Sequence, residues 1–169
     1  MRLTSLFLLT AFLASGQPAF AQKANVTGAT ITWYGNLTAT TKVVKDADNA
    51  TGERYIGSGG VPPTTNSDQI TLIPNTKFGF GFALFGTPKG ATVELVEAVK
   101  YPSPGIPDIS TGALKLSDQA PFTYTIGPGN NIFFVIGSNP SKWPTGVWTL
   151  QLLNGGTVLA EKSFTLSHP

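Results

Sequence analysis

GVWTLQLLNGGTVLAEKSFTL, residues 146–166, decides how this chain is read. Trp148, Leu150 and Leu152 alternate with Thr149 and Gln151, the period of two that places one set of side chains on each face of a strand. A second β-prone run, 157–166, follows after Asn154-Gly155-Gly156. Asn-Gly supplies the positive φ values that a tight type I′ turn demands. The stretch reads as a β-hairpin with one face made for a core.

The same grammar continues upstream. Residues 29–34 (Ala-Thr-Ile-Thr-Trp-Tyr) and 37–44 read as the first two strands, 46–52 as a loop, and 53–56 as a short strand. A glycine- and proline-rich stretch, 57–67, precedes strands at 69–73, 78–85 and 91–100, with Thr87-Pro88-Lys89-Gly90 as a turn. Phe122, Tyr124 and Ile126 alternate with Thr123 and Thr125, and 132–136 is apolar on both faces. Segment 101–107 carries three prolines, each without a donor, so it cannot be a central strand; it reads as an extended crossing between sheets. Helical periodicity is missing after Gln22. About eight to ten short strands, with no repeat and no linker, make an all-β antiparallel sandwich in a single domain, 22–169. The expected core comprises Ile31, Trp33, Phe78, Phe80, Phe82, Leu84, Val93, Leu95, Phe134, Ile136, Trp148, Leu150, Leu152 and Phe164.

The first 21 residues differ from the rest. Arg2 gives a positive start, 3–14 is largely apolar, Gly16 and Pro18 end any helix, and Ala19-Phe20-Ala21 has the small-x-small form of a cleavage site. This is the order of a secretory signal peptide, cleaved near Ala21/Gln22, and its apolar run is shorter than the roughly 20 residues a bilayer requires. A periplasmic or secreted protein is expected, with no transmembrane segment after processing.

Composition closes several routes. The 169-residue chain has no cysteine, so neither disulfides nor thiolate chemistry can serve it. Lysines and arginines number 11 against 9 acids, scattered without the basic stripe that nucleic acid binding leaves. Its single histidine, His168, is next to last, a poor place to hold a general base. Glu94 and Glu97 are three apart in a strand and fall on opposite faces. Asp46, Asp48 and Glu53 share a loop whose spacing departs from the helix-loop-helix calcium pattern. Nothing in the pattern asks for a cofactor or a metal.

Thr71-Leu-Ile-Pro74, Phe78-Gly-Phe-Gly-Phe82, Gly86-Thr-Pro-Lys-Gly90, the proline-rich 101–107 and Gly146-Val-Trp148 form a set. Together they resemble a family of bacterial secreted proteins catalogued as a domain of unknown function, over roughly residues 28–166. The resemblance implies an immunoglobulin-like β-fold and an envelope location, and brings no catalytic residues.

Two candidate surfaces remain. In Phe78-Gly-Phe-Gly-Phe82 a period of two puts the phenylalanines on one face and Gly79 and Gly81 on the other. That is either a smooth floor for a ligand or added strand, or a place where another part of the chain packs closely. Tyr34, Tyr101 and Trp143, with Tyr55, are aromatics at strand ends or in loops, where rings bring contact area with few torsions. The expected role is a non-catalytic binding or structural module of the bacterial envelope, contacting another envelope protein or a polysaccharide. A carbohydrate-binding module built on exposed aromatics is the alternative, and a hydrolase is a more distant one.

Overall fold

The structure, a computed structural model, describes residues 23–169; the expected signal peptide lies outside the described residues. In chain order the strands are β1 (Asn25–Asn36), β2 (Thr38–Lys45), β3 (Glu53–Val61), β4 (Gln69–Thr71), β5 (Lys77–Thr87), β6 (Thr92–Lys100), β7 (Ile106–Pro107), β8 (Leu114–Lys115), β9 (Ser117–Thr125), β10 (Gly127–Val135), β11 (Gly146–Asn154) and β12 (Thr157–Ser167). One 3-10 turn, Pro140–Lys142, interrupts them. Among the described residues no helix is long and apolar enough to cross a membrane.

The strands form a three-stranded sheet, β1-β5-β10, and a five-stranded sheet, β4-β12-β11-β6-β9, with two small two-stranded ribbons, β2-β3 and β7-β8. Pairing is antiparallel except between β12 and the short β4. The two larger sheets bury their facing sides against each other, as a sandwich must. From β5 come Phe78, Phe80, Phe82 and Leu84, and from β11 and β12 come Trp148, Leu150, Leu152, Phe164 and Leu166, all buried. Trp148 sits at the centre, with the Tyr101 ring 4.9 Å away and Phe134 5.1 Å away. Its indole N–H donates to the Pro144 carbonyl at 3.0 Å, which removes the cost of burying that polar atom.

The closing hairpin forms as its sequence asks, one position later than expected. Asn154 and Thr157 are the last pair, so Gly155 and Gly156 make the turn, at φ +55° and +85°. Both values lie where a side chain is disfavoured, the signature of type I′.

Two expectations are corrected. Ile31 and Trp33 do not share a face, because a register irregularity between them sets Ile31 opposite Phe82 but Trp33 opposite Gly81. The bulge turns Trp33 onto the outer side of its sheet, where it is half-buried. Segment 101–107 does not cross between sheets either. It joins β6 to β9, neighbours in one sheet, and the excursion from 101 to 116 folds back on itself through the β7-β8 ribbon.

Candidate functional site

The sequence-selected residues scatter. Tyr101 is a core residue, 7% exposed, and its hydroxyl donates to Asp118 Oδ2 at 2.8 Å; burial and that carboxylate push its pKa far upward. Proline-bounded sequence suggested an exposed loop ring, but Tyr101 opens the excursion facing inward, against Trp148. Tyr34 is half-buried and its ring is capped by Lys162 Nζ, 3.9 Å from the centroid. The glycine face is filled. A Cβ on Gly79 would lie 2.0 Å from the Ile132 carbonyl oxygen, and one on Gly81 would lie 2.1 Å from Trp33 Nε1. Close packing by neighbouring strands therefore accounts for both glycines. Trp143 is half-buried and packs edge-on against Phe134 at 5.3 Å. The side chain of Tyr55 lies outside the described residues.

Trp143 does line a cavity. The β9 border of one sheet and the β10 border of the other lie on the same side of the sandwich, and between them opens a cleft of about 740 Å³. Phe122, Phe134, Trp143, Ile132 and Val99 give it apolar walls. The β2-β3 ribbon closes part of this side. Gly57 of β3 lies under the Phe133 ring and Gly60 beside Asn131, so the ribbon packs along β10. Its turn carries Ala50, fully buried, into the gap between the sheets. There the Ala50 N–H donates to Asp118 Oδ2 at 3.0 Å, and the Ile109 N–H donates to the Ala50 carbonyl at 2.7 Å.

Asp118 and Asp108 hold this region together. Lys115 Nζ lies 3.0 Å from Asp108 Oδ2 and 3.3 Å from Asp118 Oδ1, and also donates to the Asp48 carbonyl at 2.8 Å. The Ser110 hydroxyl, Lys115 and the Thr111 and Ser110 amides hold the Asp108 carboxyl well below the usual carboxylate range. These acids are saturated, and their work is structural.

Glu97 is different. In β6, Val93, Leu95, Glu97 and Val99 fall on one face by the period of two, and Leu95 and Val99 are buried in the core. Glu97 thus points into the sandwich, at the cleft, while Glu94 faces solvent. Its carboxyl accepts the Tyr124 hydroxyl hydrogen bond. Burial raises its pKa from the ordinary 4.5 to about 7, against the pull of that hydrogen bond and of the Arg54 charge. Arg54, on β3, lies over the Phe122 ring with its guanidinium carbon 5.0 Å from the centroid. Its Nε is 3.0 Å from Asp46 Oδ2, close enough for an ion pair, but off-axis, so that this N–H makes no hydrogen bond. Glu97 was not selected as a site residue from the sequence. Its phase with Leu95 and Val99 was the available signal.

This architecture is that of an immunoglobulin-like β-sandwich. No family model matches the chain, and no curated protein matches its sequence. Among solved structures it is similar to a crystal structure of an immunoglobulin-like protein from Pseudomonas aeruginosa, with a TM-score of 0.51 and 20% identity, covering 86% of this chain and 97% of that one. At that identity the likeness speaks to fold alone.

Proposed function

We propose that the protein is an exported, non-catalytic binding module of the bacterial envelope, and that it takes its ligand in the cleft between β9 and β10. Glu97 carries this reading. A carboxyl on a core-facing strand position costs stability, and ionisable groups with shifted pKa values in clefts cluster at functional sites. The cleft's size falls within the roughly 300–1,000 Å³ of small-molecule sites, and its apolar walls alternate with charged and polar groups that could orient a ligand. A hydrolase would require a second group converging with Glu97. Glu94 faces away, His168 is exposed, and the other acids that line the cleft, Asp46, Glu53, Asp108 and Asp118, are each held in an ion pair. The aromatics Tyr34, Tyr101 and Trp143 share no surface, which leaves the polysaccharide reading without its platform.

Chemical-shift mapping with a set of cationic, neutral and anionic small molecules tests the proposal. Perturbations should gather on Glu97, Phe122, Phe134 and Trp143. A set that moves only residues elsewhere would refute it. The export half is tested separately: mass spectrometry of the periplasmic or secreted fraction should give a chain starting at Gln22, and an unprocessed cytoplasmic product would contradict that half.

A further inference from the structure

We infer that the cleft recognises an organic ammonium group carried on an apolar stem, with Glu97 as its counter-charge. The inference rests on the reading of the cleft as a binding site and narrows it to one ligand chemistry.

Charge pairing around the cleft points this way. Among the acids that line it, Asp46 lies beside Arg54, Glu53 beside Lys45, and Asp108 and Asp118 share Lys115. Glu97 stands apart, forming no ion pair among the described residues and receiving only the neutral Tyr124 hydroxyl. A carboxylate held in apolar surroundings attracts a cation more strongly than one in water, because the low local dielectric screens less. The rings that line the same cleft favour the same guest. Trp143 and Phe134 meet edge to face at 5.3 Å, and ring faces attract ammonium groups within about 6 Å by their quadrupole. Phe122 already holds one cation in this way, the Arg54 guanidinium. Arg54 does not make the cleft an anion site, since Asp46 meets its charge at 3.0 Å.

The groups that bear on the ionisation of Glu97 are the Tyr124 hydroxyl on β9 and the Arg54 charge on β3. Asp46, Glu53, Asp108, Asp118 and Lys142 complete the charged lining of the cleft. His168, the only histidine of the sequence, is not among the residues that line the cleft, so the cleft's response between pH 5.5 and 8 belongs to Glu97.

The test uses 2-phenylethylamine, its neutral counterpart 2-phenylethanol and the anion 3-phenylpropionate, read by amide chemical shifts. Nα-acetyl-lysine methylamide serves as a fourth probe, standing for a lysyl side chain of a protein partner. At pH 8 phenylethylamine should bind at least about tenfold tighter than phenylethanol, the size of one hydrogen-bonded charge contact. That preference should collapse towards unity at pH 5.5, where a carboxyl with a pKa of about 7 is almost wholly protonated. Glu97→Gln should erase the preference and keep the phenylethanol response. Should that variant fold poorly, the pH series on the unaltered protein decides the matter. Tighter binding of the lysine probe than of phenylethylamine would assign the ammonium to a protein partner rather than a free amine. Equal binding of amine and alcohol, or preference for the propionate, overturns the inference and leaves the cleft as a binding site. If no probe moves the cleft resonances, both readings fall.

Discussion

Glu97 and Asp108 pull the pH dependence of stability in opposite directions. Glu97 binds its proton more readily folded than unfolded, so its contribution is full below about pH 4.5 and is lost as pH rises through about 7. A shift of this size corresponds to about 3 kcal/mol at 1.4 kcal/mol per pKa unit. Asp108 is held low by Ser110 and Lys115, so its contribution is present above its ordinary 3.8 and lost as pH falls. Urea denaturation should therefore show a maximum near pH 5. Glu97→Gln should flatten the alkaline side, gaining about 2 kcal/mol at pH 8, since Tyr124 can donate to an amide oxygen as well. A variant as weakened by alkali as the parent would contradict the burial of that carboxyl.

The two glycines of β5 offer a graded pair. Gly79→Ala would drive a methyl into the Ile132 carbonyl and the Phe133 backbone, which cannot step aside, whereas Gly81→Ala meets only the Trp33 ring. Both should destabilise, by about 1–3 kcal/mol, with Gly79→Ala the worse. Thermal melts giving the reverse order would show that the Trp33 ring is the more rigid neighbour. That alternation was plain in the sequence; what fills the glycine side was not, because Trp33 arrives there only through a bulge in β1. A single extra residue changes the phase of everything after it, and composition does not announce it.

At the scale of elements, the β11-β12 hairpin and the phase of β5, β6 and β9 were legible, since each is local and alternates cleanly. The β2-β3 ribbon was less so. Its strands are rich in Thr and Gly, and its turn looked like an ordinary solvent loop. Ala50 is nonetheless fully buried, because Asp118, 68 positions later, receives its amide. Such a contact depends on tertiary placement and leaves no periodic trace. Asp118→Ala should cost about 2–6 kcal/mol, since the buried Ala50 amide and the Tyr101 hydroxyl both lose their acceptor at about 1–3 kcal/mol each. Hydrogen exchange at Ala50 and Ile109 should accelerate before the core strands respond. Uniform acceleration throughout the sandwich would mean that the ribbon does not open on its own. The excursion from 101 to 116 was misread for a related reason: its prolines rule out a central strand, but say nothing about which sheet the chain rejoins.

For the whole molecule, composition and strand count led to a sandwich, and the sheets bear that out. The candidate site was legible only in fragments. Trp143 was selected, while Glu97, Arg54 and Phe122 come together only once β3, β6 and β9 are brought to one opening. The ribbon that borders this opening has a second effect. Unpaired strand borders recruit other chains, and proteins blunt them with proline or with a covering segment. β9 carries Pro121, which has no N–H to offer, and the ribbon lies along β10. Both exposed rims on this side are thereby denied to a neighbouring copy. A chain lacking the ribbon, residues 38–61, would uncover β10 and should self-associate as its concentration rises, which light scattering would register. Access for a ligand and resistance to polymerisation would then depend on the same short stretch of chain.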